Sequence, residues 1–297
     1  KIGTRKSKLA LIQTNIIKNL IEKNTNHKCE IVEMSTLGDD RRDLKLTDFG
    51  GKGAFVDTIE KALLDKSIDI AVHSAKDLPV QLEQGLEIGA VAKRANPQDV
   101  LIMAQGKTIS SDSVIGTGSV RRQLQIKAKY GCKCKDIRGN VPTRLKKLDD
   151  GEYDGIILAR AGLDRLDMID IDKYNYEFFE TSDFVPAPCQ GIIAVENRAD
   201  DEYIRDVLKA INHMETYVCF VAERAFLKAM DSGCQTPLRA ISEIGENNMG
   251  NSTGSTMYMF GAVIIIYIVG MLIYQGFQWL RKKREQKRDE EFRRGDE

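Results

Sequence analysis

Apolar and polar positions alternate along this chain in a repeating strand–helix order. "KIGTR" at Lys1–Arg5 has the apolar content of a short strand. Leu9, Ile12, Ile16 and Leu20 then recur at helical spacing and predict a helix from about Ser7 to Glu22, with Ser7 as its N-cap. "CEIVEM" predicts a second strand, whereas "LGDDRRDLKLTDFGGKG" fits neither period and reads as a long loop of the kind that lies over sites. A helix, "AFVDTIEKALLDK", and the strands "IDIAVHS" and "LEIGAVAK" follow. From Asn96 the pattern restarts with strands "DVLIMA", "SVIGTG", "CKDIRG" and "GIILA", and with helices opening near Ser119 and at Pro142. One more strand, "GIIAVENR", precedes the helices "EYIRDVLKAI" and "ETYVCFVAERAFLKAM". This order predicts the α/β class, with mostly parallel sheets covered by helices on both faces. Two such sets predict two lobes with a cleft between them.

The character changes after Glu246, beyond which no charge occurs until Arg281. "MYMFGAVIIIYIVGMLIY" has the length and continuity of a bilayer span, and "RKKR" follows the flanking aromatics, the last of them Trp279. A transmembrane helix at 257–280 and a solvated charged tail at 281–297 are therefore expected. The basic flank would face the cytoplasm, leaving "NST" at Asn251 outside as a glycosylation acceptor.

Lys+Arg and Asp+Glu number 44 each, which argues against a general nucleic-acid binder. The cysteines (Cys29, Cys132, Cys134, Cys189, Cys219, Cys234) are spread through sequence that can form an ample core, so reduced thiols are expected rather than a disulfide scaffold. "KCKCK" has no nearby histidine and lacks the four-ligand set of a zinc site. No secretory signal precedes the first strand, and the start on Lys1 suggests that a few residues are missing.

Candidate chemistry gathers where apolar strands end, the edge at which open α/β sheets bind ligands. "HSAKDLP" places Lys76 and Asp77 beyond such a strand, as a ligand-facing pair or a surface ion pair. An aspartate there could accept N–H donors or stabilise a cation. "GTGSVRRQ" offers Thr117 and Ser119 at a helix start, with Arg121 and Arg122 in the first turn, where the helix dipole disfavours cations. That placement suggests an anionic partner, with a solvated pair as the alternative. Arg138 and Arg144 in "DIRGNVPTRLKKL", and Arg160 and Arg165 in "ARAGLDRL", add further guanidinium forks near strand ends. Together they imply a ligand with several carboxylates, which Lys52 in "GGKG" could also reach. Cys234, in "SGCQTP", lies between glycine and a turn-forming sequence, so its thiol is presented on a loop.

These pieces, "GTRKSKLAL", "GGKGAFV", "AVHSAKDLP", "GTGSVRRQ", "RGNVPTRL", "AERAFL" and "GCQTP", stand in the order in which they occur in the porphobilinogen deaminases (hydroxymethylbilane synthases), and the chain resembles that family from Lys1 to about Ala240. The resemblance implies a transferase of heme and tetrapyrrole biosynthesis. It would join porphobilinogen units head-to-tail through azafulvenes, with loss of ammonia, and release the linear tetrapyrrole hydroxymethylbilane. It implies a covalent dipyrromethane cofactor on Cys234, Asp77 as the catalytic carboxylate, and Arg5, Ser7, Lys52, Lys76, Thr117, Ser119, Arg121, Arg122, Arg138, Arg144 and Arg165 as the groups binding acetate and propionate side chains. It further implies two lobes resembling periplasmic binding proteins, 1–92 with 192–209 and 96–185, and a small third α/β domain, here truncated to 214–245. A cytoplasmic monomer acting on a small molecule, without nucleic acid or metal, is expected for the enzyme part, anchored to a membrane if 257–280 spans one. The sequence departs from the family at Asp48, where lysine is common, at Cys189, where glycine is usual, and at Arg239, where a small residue is usual. An inactive membrane-anchored module binding anionic ligands, and a deaminase fragment joined to an unrelated single-span tail, stand as alternatives.

Overall fold

The computed structural model describes residues 1–35, 57–230 and 238–244. The first sheet takes β1 (Ile2–Arg5), β2 (Ile31–Met34), β3 (Ile70–Ser74) and β4 (Leu86–Val91) from the chain's opening, and β10 (Ile193–Arg198) from much later, in the order β2-β1-β3-β10-β4. The second is built from one continuous stretch: β5 (Asp99–Ala104), β6 (Val114–Gly116), β7 (Lys133–Lys135), β8 (Gly155–Ala159) and β9 (Tyr174–Phe178), ordered β7-β6-β8-β5-β9.

The sheets are mixed rather than mostly parallel. β1 runs parallel to β2 and β3, and β6 to β7 and β8, but β10 is antiparallel to β3 and β4, and β5 to β8 and β9. The cause is the route of the chain. β4 ends at the carboxyl edge of its sheet, so segment 92–98 crosses there and enters the second sheet from the same side, forcing β5 to run away from it. Segment 179–192 returns by the same edge and reverses β10 in turn. Both crossings therefore lie between the two carboxyl edges.

Helix α1 (Lys8–Asn24) is capped as its sequence predicts, the Ser7 hydroxyl accepting the Ala10 N–H at 3.2 Å. Its core face is rotated from the expected one. Ile17 and Ile21 are buried, each worth about 1.5–3 kcal/mol of apolar transfer, and Ile16 and Leu20 pack partly against them. Leu9 instead approaches Gly162 of α5 (Arg160–Leu166) in the second lobe. A helix serving a core and a neighbouring lobe has two apolar stripes, and a single period cannot separate them. The remaining helices are α2 (Asp57–Leu64), α3 (Val120–Tyr130), α4 (Val141–Asp149), α6 (Glu202–Lys209) and α7 (Met214–Ala229).

β9 and α5 were not foreseen. "YNYEF" has no apolar run, and α5 is short, contains glycine and starts on Ala159 without a side-chain cap. The strand expected at "CKDIRG" is confined to Lys133–Lys135. Asp48, Asn251, the expected span 257–280 and the tail 281–297 lie outside the described residues. Among the described residues no helix is long and apolar enough to cross a membrane.

Candidate active site

β3 ends at Ser74, and the chain tightens at once into a 3₁₀ turn, Ala75–Asp77. The Ala75 N–H donates to the Ile192 carbonyl at 3.0 Å, tying the turn to the returning crossing segment. From the helix side, Ser74 exchanges hydrogen bonds with the buried Gln13 side chain of α1 at 3.0 and 3.1 Å. Held at both ends, the turn leaves Asp77 exposed and Lys76 half-buried. Burial pulls the Lys76 pKa down to about 8 against the attraction of Asp77, and the nearby Arg122 and Arg121 cations lower it further.

Lys76 Nζ donates to Gln190 Oε1 at 3.4 Å. The Gln190 amide in turn donates to the Pro97 carbonyl at 2.6 Å and to Asp99 Oδ1 at 2.9 Å, so one side chain joins the two crossing segments. Asp99 is fully buried between two guanidiniums. Arg122 donates to its Oδ1 from Nε at 3.1 Å and Nη2 at 2.7 Å, and Arg121 Nη1 lies 2.7 Å from its Oδ2. Burial pushes this carboxyl up, but the Arg122 and Arg121 charges and hydrogen bonds prevail and hold its pKa at about 2.

This pairing revises the argument from the helix dipole. The anion that two arginines require at the start of α3 is supplied internally by Asp99, and Arg121 and Arg122 are neither solvated nor without a partner. Arg122 Nη1 also donates to the Ile157 carbonyl at 3.0 Å, and Arg121 Nη1 to the Val185 carbonyl at 2.8 Å. Thr117 is buried, its hydroxyl accepting the Ser119 N–H at 3.2 Å, and Ser119 caps α3 by accepting from Arg122 N at 3.4 Å.

The cations nevertheless outnumber the carboxylates. Arg144 donates from Nε to the Gly139 carbonyl at 2.7 Å, and burial together with repulsion from Arg122 and Arg138 lowers its pKa to about 10, with Asp77 opposing. Arg138 is exposed. Arg165 Nη2 donates to the Gly191 carbonyl at 2.8 Å, and burial lowers its pKa. Arg160 is engaged elsewhere, with Gln98 Oε1 at 2.8 Å and over the Phe178 ring. Arg5 and Ser7 stand at the carboxyl end of β1, next to β3. Lys76, Asp77, Arg121, Arg122, Arg138 and Arg144 thus share one electrostatic neighbourhood. Lys52 and Cys234 lie outside the described residues. No group of His, Cys, Asp or Glu able to hold a metal occurs among the described residues.

Four framework residues were not singled out from sequence: Gln13, Asp99, Gln190 and Glu223. Asp99 left a trace, as a charge opening an otherwise apolar strand. Glu223 of α7 is buried and receives Arg94 Nη1 at 2.6 Å and Nη2 at 3.2 Å, the Cys189 N–H, and the Ser242 N–H at 2.8 Å. It fastens α7 and the 238–244 segment to both crossings. Cys189 is fully buried at φ +62°, with its thiol pushed up to about 12 by burial and by Glu223.

Two mixed α/β sheets joined by two crossings, with Lys76, Arg121, Arg122, Arg138 and Arg144 gathered near Asp77, define a two-lobed α/β protein with a cationic site. Residues 1–206 match the family model "Porphobilinogen deaminase, dipyromethane cofactor binding domain", and residues 217–272 match "Porphobilinogen deaminase, C-terminal domain". The porphobilinogen deaminase of Alkaliphilus metalliredigens is 44% identical over 89% of this chain and 81% of its own length, and that of Brevibacillus brevis is 42% identical over 86% and 83%. The chain belongs to the porphobilinogen deaminase family. Its C-terminal match runs past residue 245 and into the 257–280 stretch, so the family resemblance does not stop near residue 240. Likenesses to solved structures are distant: the periplasmic VFT2 domain of Bordetella pertussis BvgS (TM-score 0.41, 13% identity, 67% of this chain and 76% of that one), and an ancestral arginine-binding protein (0.39, 16%, 71% and 89%).

Proposed function

We propose that this chain joins porphobilinogen units head-to-tail with loss of ammonia, giving hydroxymethylbilane on a dipyrromethane primer attached to Cys234. The observation that carries this reading is the excess of cations around Asp77, with Lys76 and Arg144 both pulled below their ordinary pKa values. Such an excess is stabilised by an anionic ligand, and acetate and propionate side chains supply the carboxylates that guanidinium forks accept. The donor set therefore fits the primer and the substrate.

When bound, the primer supplies the nucleophilic pyrrole carbon to which units are added. Asp77, exposed on its braced turn, accepts pyrrole N–H bonds and sets a negative charge where positive charge develops as ammonia leaves. Arg138, Arg144 and Arg165 hold side-chain carboxylates, with Arg5, Ser7, Lys52 and Lys76 from the first lobe. Arg121, Arg122, Thr117 and Ser119 have internal bonds, and meet the ligand with the donors left over. Gln190 and Asp99 keep the cations of the two lobes in register. The same reading takes the enzyme as a cytoplasmic monomer.

The test is the intact mass of the full chain beside Cys234→Ser, each exposed to porphobilinogen. A two-pyrrole adduct on the parent that is absent from the variant is expected. A bare parent, or an adduct that survives the substitution, would overturn the reading.

A further inference from the structure

The segment after the Cys234 loop carries a cation that the cleft's own framework does not account for. Arg239 is exposed and donates from Nη1 to Gln125 Oε1 at 3.2 Å. That amide is itself held on the second crossing, accepting the Val185 N–H at 2.8 Å and donating to the Val185 carbonyl at 3.1 Å. Arg121 Nη1 donates to the same carbonyl at 2.8 Å. Two guanidiniums are thus gathered around one short stretch of backbone, and Arg239 is among the charges that lower the Arg121 pKa. Arg121 has Asp99 as its counter-charge, whereas Arg239 makes no ion pair among the described residues. A cation set beside another cation, with most of its donors unused, is poised for an anion that arrives from outside.

On the functional reading above, we propose that Arg239 is a further carboxylate-binding residue, which extends the cation cluster of the second lobe onto the 238–244 segment and there engages an acidic side chain of the growing polypyrrole. Docked on Gln125, its guanidinium keeps its remaining donors for that carboxylate. The role is one of positioning and specificity: bond formation and the loss of ammonia do not pass through it.

The experiment compares the full-length parent with Arg239→Ala and Arg239→Lys, using porphobilinogen as the probe. A partly exposed charge-assisted contact predicts a KM raised about five- to tenfold in Arg239→Ala, with kcat within about twofold. Arg239→Lys should recover most of the loss, since a cation in place suffices. The parent's KM should climb more steeply with ionic strength than that of Arg239→Ala. The melting temperature of the cofactor-free protein should be the same in all three. An unchanged KM in Arg239→Ala overturns the proposal. So does a KM rise with no difference in salt dependence and a matching fall in melting temperature, which would make Arg239 a structural strut. Failure of the underlying reading is separately visible, as a parent without adduct and without turnover.

Discussion

Replacing Asp99 by asparagine keeps its shape and removes its charge, leaving Arg121 and Arg122 buried without a counter-ion. The parent carboxyl is held at about 2 against an ordinary value of 3.8, so its ionised form contributes about 2 kcal/mol of pH-dependent stability. Removing one partner of a buried ion pair costs about 3–5 kcal/mol, because the remaining charge stays desolvated. Asp99→Asn should therefore lose about 2–5 kcal/mol at pH 7, read from urea unfolding followed by circular dichroism. The sign with pH follows from the depressed folded pKa. The advantage of the parent is complete above the unfolded-state pKa, near 4, and shrinks as pH falls through about 2. A gap under about 1 kcal/mol at pH 7 would refute the reasoning, as would one that stays constant down to pH 2.

At Gly191, φ is +86° and a Cβ would collide with the Ala95 carbonyl oxygen of the other crossing, so Gly191→Ala should destabilise by about 2–4 kcal/mol in the same assay; a loss below about 0.5 kcal/mol would count against the close approach. Cys189, with its thiol at about 12 and no exposure, should resist iodoacetamide at pH 8 in the folded protein and react once urea unfolds it, as read by peptide mass spectrometry.

The strands "DVLIMA" and "GIILA", the cap Ser7 and the helix start near Ser119 were legible because each depends on local periodicity or a single hydroxyl. The direction of β5 and β10 was not, since it follows from where the crossings enter a sheet, which no local window contains. The candidate site divides in the same way. Lys76, Asp77 and the arginines stand out as charges at strand ends, but the partners that fix them come from far along the chain. Asp99 meets Arg122 across 23 positions and Gln190 across 91. A sequence read without that pairing assigns the whole cation excess to a ligand, whereas two of the cations already share one carboxylate inside the protein.

The late position of β10 bears on how the protein emerges during synthesis. The second sheet uses only 99–178, and every strand it needs is present once that stretch has left the ribosome. The first sheet has a gap between β3 and β4 that only residues 193–198 fill. The lobe encoded first is therefore the one completed last. Until then β3 and β4 each hold an open edge on which a neighbouring nascent chain could pair. Closure of that gap also draws Ile192 against Ala75, so the turn bearing Asp77 is braced by the same event that completes the lobe.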